Sequence, residues 1–228
     1  MIIKTNLHFH TKDDPLDHLP YTPEQAIDQA SKLGFEAIAF TYHTQFYDKK
    51  KHQEYASKKN ILLISGTEAN IEGKDIVVLN CDKKIEEIKS MAELRNYKKQ
   101  NPQILIIAPH PFVLSKKSLG KKLIENIDLF DAIELSIFSN SFFGFNKKAQ
   151  KIAKKYSKPL IATSDTHNLN DLEKGYTLID AENKKIENIF SSIKKNKLQN
   201  KIEPMNIRTM AKYRILGLIR ILKKQKSI

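Results

Sequence analysis

The 228-residue sequence predicts an α/β fold, with a parallel sheet and crossover helices, either open or closed into a barrel. Three observations carry the expectation. Apolar runs of strand length recur along the chain, helical patterns fall between most of them, and acids and imidazoles gather just after the apolar runs.

In chain order, the first apolar run is IIKTNL at 2–7, closed by His8 and His10. TPEQAIDQASKLG then reads as a helix, with Thr22 as N-cap, Pro23 at the first helical position, Gln25 completing a capping box, and Gly34 as stop. Its apolar stripe is Ala26, Ile27, Ala30 and Leu33. EAIAFT at 36–41 follows, then a helical pattern at 49–59, and then the strand-like runs ILLISG at 61–66 and DIVVLN at 75–80. A helix is expected at 84–99, a strand in ILIIAP at 104–109, a helix at 118–127 and a strand in AIEL at 132–135. The series continues with a helix at 145–157, PLIATS at 159–164, a weaker strand in YTLID at 176–180 and a helix at 183–195. Finally, NIRTMAKYRILGLIRILKK spaces Ile207, Ala211, Ile215, Leu218 and Leu222 as one helical stripe, which predicts a docked basic C-terminal helix.

Composition bounds the function. With 40% hydrophobic and 29% charged residues the chain is an ordinary globular protein, long enough for one compact domain. The single Cys81 excludes an internal disulfide framework and a cysteine-rich zinc site. No apolar run approaches the roughly 18 residues of a membrane span and the N-terminus lacks a secretory signal order, so the expected location is cytoplasmic. The formal charge is +13, and residues 201–228, with eight basic residues and Glu203 as the one acid, contribute +7 of it. That concentration suits a phosphorylated partner, nucleic acid held through the basic tail among the candidates, although a solvated lysine-rich surface accounts for it equally well.

The polar residues carry the functional signal. His8 and His10 follow the first strand, His43 the second, Glu68 the third and His110 the run ILIIAP, while Glu134 lies within AIEL and Asp165 with His167 closes PLIATS. Five of the seven histidines therefore fall just beyond strand C-termini, where the loops of α/β barrels converge; His18 and His52 do not. Residues two apart on a strand share a face, so His8 with His10, and Asp165 with His167, form pairs. Imidazoles and carboxylates without thiolates suit zinc, iron or manganese, and this many donors exceeds what one ion holds. Two or three divalent ions sharing bridging groups are expected, with Glu68 able to bridge.

The motifs HFHT at 8–11, TYHT at 41–44, GTEAN at 66–70, APHPF at 108–112 and TSDTH at 163–167, in this order, resemble those of the PHP (polymerase and histidinol phosphatase) domain family, in its small stand-alone form. The resemblance covers residues 2 to about 180. It implies a distorted TIM-like (β/α)7 barrel over 1–200, followed by the basic tail at 201–228. It also implies a metal-dependent phosphoesterase that cleaves a phosphate monoester, of a small metabolite or of a nucleotide or oligonucleotide end, by metal-activated hydroxide. His8, His10, Glu68 and Asp165 would hold one ion, and Glu68 with His110 a second. His43, His167 and an acid after the first strand would hold a third, with Asp14 preferred over Asp13 and Asp17. Asp165, His167 and Glu68 would then be the catalytic residues.

Two departures from the family pattern stand out. Tyr42 replaces an acid or amide beside His43, where it would tune the metal from behind the ligands. Asp75 occupies the place of a further histidine ligand and is expected to ligate, leaning that ion toward manganese. Glu134 would orient a ligating histidine, and Lys116 and Lys117 in PFVLSKKSLGKK would meet the substrate phosphate. Two alternatives stay open: an amidohydrolase-like metal hydrolase, and a non-catalytic scaffold that binds nucleic acid through its tail.

Overall fold

The computed structural model describes residues 1–139, 144–206 and 208–210. Its first half comprises β1 (Ile2–Phe9), α1 (Pro23–Lys32), β2 (Ala37–Phe40), α2 (Lys50–Lys58), β3 (Leu62–Ile71) and β4 (Lys74–Leu79). The second half comprises α3 (Met91–Gln100), β5 (Leu105–Ala108), α4 (Lys121–Glu125), β6 (Ala132–Ser136), α5 (Phe145–Lys155), β7 (Leu160–Thr163), β8 (Gly175–Asp180), α6 (Ile186–Lys194) and β9 (Leu198–Ile202). The α1 capping box forms as its sequence dictates, with Thr22 accepting from Gln25 N–H and Gln25 returning the bond. A second one starts α3 between Ser90 and Glu93, later than the expected start at 84, and a 3-10 turn fills Lys83–Glu87.

The nine strands form one sheet in the order β7-β6-β5-β4-β3-β2-β1-β8-β9, curled into a nearly closed barrel. The expectation of a wholly parallel sheet needs correction. β4 is antiparallel to both β3 and β5, and β8 is antiparallel to β1 and β9. Between β3 and β4 only Glu72 and Gly73 turn the chain, at φ 51 and 73, a tight hairpin that leaves no room for a crossover helix. β9 answers to none of the expected elements and runs past residue 200, so the barrel's last strand takes in the start of the stretch assigned to the tail. Glu203 N–H and Met205 N–H bond back to Lys174 and Ile137 carbonyls, and residues 208–210 are helical. The rest of the expected C-terminal helix lies outside the described residues.

A register irregularity in β1 sets up the functional end of the barrel. Thr5 and Asn6 pair with Ala37 and Ile38, but Phe9 pairs with Phe40, so three residues of β1 are matched by two of β2. Leu7 packs with Ala37, Val77 and Ile107 in the inner cluster, and Phe9 with Ile38 and Phe40 in an outer one against α1. The bulge lets the consecutive Leu7 and His8 both face inward, and His10 follows on the same side. Apolar filling therefore gives way to polar chemistry within one step of the chain.

Closure between β7 and the β8–β9 pair uses side chains. Ala162 N–H donates to Thr177 Oγ1 at 2.9 Å and Asn200 Oδ1 at 2.7 Å, Thr177 Oγ1 donates to Ala162 O at 3.0 Å, and Asn200 Nδ2 donates to Leu160 O at 2.8 Å. Gly175 permits the approach, because a Cβ there would stand 2.2 Å from Thr163 O.

Candidate metal centre

His8 and His10 come from the end of β1, His43 from the loop after β2, Glu68 from within β3, His110 from just past β5, Glu134 from β6, and Asp165 with His167 from just past β7. The acids that complete the cluster, Asp14 and Asp17, lie in the loop after β1. His110 and Asp165 have positive φ, 29 and 46, in backbone that L-residues avoid and that concentrates at functional sites.

Ligand-capable atoms converge in three overlapping groups: His8, Glu68 and His110; His8, His10 and Asp165; and His10, Asp14, Asp17 and His43. Glu68 lies between them. Its Oε2 is 3.5, 3.6 and 3.1 Å from Nε2 of His8, His10 and His43, and its Oε1 is 3.1 Å from His110 Nε2. Asp165 Oδ1 is 3.5 and 3.2 Å from Nε2 of His8 and His10 and 3.4 Å from His167 Nδ1. His167 Nε2 reaches Asp17 Oδ2 at 2.8 Å.

The other ring nitrogens are held from behind. Glu134 Oε2 bonds His8 Nδ1 at 2.9 Å, and its Oε1 accepts from His110 N–H at 3.3 Å. Asp14 Oδ2 takes His10 Nδ1 at 2.8 Å, His43 Nδ1 at 3.1 Å and His43 N–H at 2.8 Å, while its Oδ1 accepts from the backbone N–H of Leu16 and Asp17. A carboxylate on Nδ1 fixes the tautomer that offers Nε2 as a lone pair, the arrangement in which histidine usually meets a metal. The Nε2 atoms of His8 and His10 are buried yet make no hydrogen bond, and Asp17 Oδ2 is buried with only His167 Nε2 beside it at 2.8 Å. Buried polar atoms rarely go unpaired, so the two imidazole nitrogens that converge with Asp165 fit a divalent cation.

The electrostatics agree. Burial pulls the His8 pKa down, but Asp165, Glu68 and Glu134 outweigh it and hold it well above the ordinary value. The same contest raises His110 to about 9, through Glu68 above all, and His167 to about 10, through Asp165 and Asp17. Burial resists ionisation of Glu68, Asp165 and Asp14, yet the surrounding imidazoles drive all three pKa values below the carboxylate range. Strongly shifted acids and bases around one point characterise functional sites.

Other sequence-selected residues stand apart from the cluster. Asp75 joins none of the three groups; it accepts from Asn70 Nδ2 at 3.2 Å and faces Lys117 Nζ at 3.8 Å, and burial with nearby Glu68 raises its pKa. The Tyr42 hydroxyl bonds Thr11 and its ring packs against Phe40 and Tyr47, while its backbone carbonyl accepts from Glu68 N–H at 3.0 Å. Lys116 is exposed, and its carbonyl accepts from Lys74 Nζ. His52 is buried against Tyr47 and Glu24, away from the cluster, and Cys81 is a buried thiol pushed up to about 12 by desolvation. Of the acids in DDPLD, Asp14 and Asp17 both lie in the group formed with His10 and His43, and sequence alone does not say how they divide its contacts.

A family model described as PHP-associated matches residues 144–198. The DNA polymerase III PolC-type of Streptococcus pyogenes is 41% identical over 68 residues, 30% of this chain and 5% of that polymerase. A two-domain protein from Bacteroides vulgatus, containing a predicted PHP-like metal-dependent phosphoesterase, superposes with TM-score 0.71 at 17% identity, over 89% of this chain and 65% of that one. The lesion-specific endonuclease Q of Pyrococcus furiosus superposes with TM-score 0.62 at 16% identity, over 89% of this chain and 58% of that one. This chain therefore spans less than two thirds of the length of each of these proteins, and at such identities the structural likeness is one of fold.

Proposed function

From the premise that this chain has the fold of the PHP-like metal-dependent phosphoesterases, we propose that it hydrolyses a phosphate monoester at the His8–Glu68–Asp165 cluster. The observation that carries the reading is the convergence of four imidazole Nε2 atoms on Glu68, two of them buried without a partner. His8, His10, Glu68 and Asp165 hold one ion in this reading, and Glu68 with His110 a second. His43, His167 and Asp17 hold a third. Asp17 takes the place expected for Asp14, because both oxygens of Asp14 are already engaged by His10, His43 and the loop backbone. Asp75 is left out of the ligand set because Asn70 and Lys117 hold it.

Divalent ions such as zinc, manganese or iron supply Lewis-acid stabilisation of phosphate oxygens and acidify bound water toward pH 7. The chain's own contribution is positional. Glu134 and Asp14 keep the Nδ1 protons of His8, His10 and His43 turned outward. Glu68 and Asp165 stay ionised across the physiological range and supply the negative charge that balances clustered cations. His167 Nδ1 donates to the Asp165 carbonyl at 2.8 Å, which aims its Nε2 at Asp17. A nucleophilic cysteine has no place, since the Cys81 thiol is buried and protonated.

The test pairs elemental analysis of protein purified without chelator with phosphate release from an aryl phosphate, for wild type and Asp165→Ala. Two or three ions per chain and hydrolysis that collapses in the variant support the proposal. A metal-free protein that stays inactive after addition of manganese, zinc or iron overturns it, and release of ammonia instead of phosphate from a mixed substrate panel redirects it to amide chemistry.

A further inference from the structure

Helix α5, FNKKAQKIAKK, carries five lysines and no acid, whereas each of the other five helices described holds at least one carboxylate: Glu24, Glu54, Glu93, Glu125 and Glu187 among them. Lys147, Lys148, Lys151, Lys154 and Lys155 are all exposed. At 100° per residue they cover an arc of roughly 120°, opposite the buried Ala149 and Ala153 that seat the helix. Lys148 lies over the Phe112 ring and Lys155 over Tyr156, but among the described residues none of the five pairs with a carboxylate.

Helix stability accounts for Lys154 and Lys155, which stand in the last turn where a cation is favourable, but not for the rest of the pattern. Lys147 stands in the first turn, at the positive end of the helix dipole, where an acid stabilises and a cation opposes. The helix is also tied to the rim of the candidate site. Asn146 Oδ1 accepts from Ser136 N–H and its Nδ2 donates to Ser136 O, both at 3.0 Å, two residues beyond Glu134. Lys148 Nζ is 4.4 Å from the centre of the Phe112 ring, two residues beyond His110. The lysine face therefore starts at the mouth and extends about 12 Å down the outer wall, at 1.5 Å per residue from Lys147 to Lys155. That length matches a few phosphates of one strand.

We propose that this face of α5 binds the sugar–phosphate backbone of a single nucleic-acid strand and presents it to the cluster. The proposal rests on the phosphoesterase reading and deepens it by naming the substrate class. A membrane surface is the poorer fit, since interfacial helices need an outward apolar face and α5 turns Ala149, Ile152 and Ala153 toward the protein.

The test is fluorescence anisotropy of a labelled 15-nucleotide oligothymidylate with the full chain in chelator, across a salt series. It compares wild type, Lys147→Gln/Lys151→Gln/Lys154→Gln, and a charge-matched control, Lys58→Gln/Lys84→Gln/Lys99→Gln. The α5 variant is expected to lose at least about tenfold in affinity and to flatten the salt slope by about 2, at ~0.7 per lost phosphate contact, while the control stays near wild type. Equal binding by all three proteins, or equal loss in the control, overturns the proposal. Aryl phosphate hydrolysis is measured on the same preparations with metal restored. Retained hydrolysis in the α5 variant shows an intact site and strengthens the assignment. If no preparation hydrolyses the ester yet the α5 variant alone loses the oligonucleotide, the binding face stands and the phosphoesterase reading falls.

Discussion

Stripping metal from this protein and raising the pH should destabilise it, because the cluster then depends on imidazolium charge. Burial opposes that charge, but Glu68 and Asp165 prevail and raise His110 from 6.5 to about 9. A pKa that is higher in the folded state contributes stability in full below the unfolded value, near pH 6.5, and loses it as pH rises through about 9. At 1.36 kcal/mol per pKa unit, His110 alone contributes about 3 kcal/mol over that window, and its 12% side-chain exposure leaves little solvent screening. His167, raised to about 10, acts in the same direction but shares Asp165, so the two contributions do not simply add. The depressed carboxylates do not intrude, since Glu68, Asp165 and Asp14 are ionised in both folded and unfolded chains throughout this range. For a chain of this size, 3 kcal/mol corresponds to a melting temperature about 6–12 °C lower at pH 9 than at pH 6. Thermal melts by circular dichroism, on metal-free protein at constant ionic strength, measure it. With saturating manganese the trend should reverse, because protons compete with the ion for the same nitrogens. A melting temperature that is flat or rises between pH 6 and 9 in the metal-free protein would refute the electrostatic account of the cluster.

Three further outcomes are expected. Glu134→Gln removes the charge behind His8 Nδ1 and should weaken metal binding about 10- to 100-fold in a competition titration against a chromophoric chelator; a change under twofold removes Glu134 from the centre. Asp17→Asn should lower the metal count by one ion per chain, whereas Asp14→Asn should keep the count and weaken affinity, and the opposite pattern by elemental analysis would return Asp14 to the ligand set. Gly175→Ala drives a Cβ toward the Thr163 carbonyl and should cost about 3 kcal/mol in urea unfolding, with an unchanged midpoint counting against a fixed β7–β8 approach.

Much of this architecture is written in local sequence. Strands buried on both faces read as continuous apolar runs, and β1 to β7 come from such runs. α1 is legible because Thr22, Pro23 and Gln25 form its start chemically. β9, LQNKI, has no comparable signal, since its polar residues face water and Asn200 is spent on the barrel seam. The antiparallel β4 was hidden by an expectation drawn from the alternation elsewhere, although the two residues between β3 and β4 are too few for a crossover. In the site, the histidines announce themselves by their place after strands, but the separate tasks of Asp14 and Asp17 depend on which oxygen the loop backbone captures. Asp75 shows the converse: its position suggests a ligand, and only the neighbouring Lys117 and Asn70 reveal where its charge is spent.

The side-chain closure between β7 and the β8–β9 pair makes the barrel adjustable in a way a backbone ladder is not. Ladder bonds are the same for nearly every sequence, but a junction that depends on Thr177 and Asn200 can be tightened or loosened by exchanging one residue. Asp165 and His167 emerge from the end of β7, directly beyond this junction. The spacing of the two ligand pairs themselves is held separately, by the backbone bridge between Phe9 and Thr166 and by His10 N–H donating to Thr166 O at 3.3 Å, so exchanges at Thr177 and Asn200 retune the wall below the centre without replacing any donor.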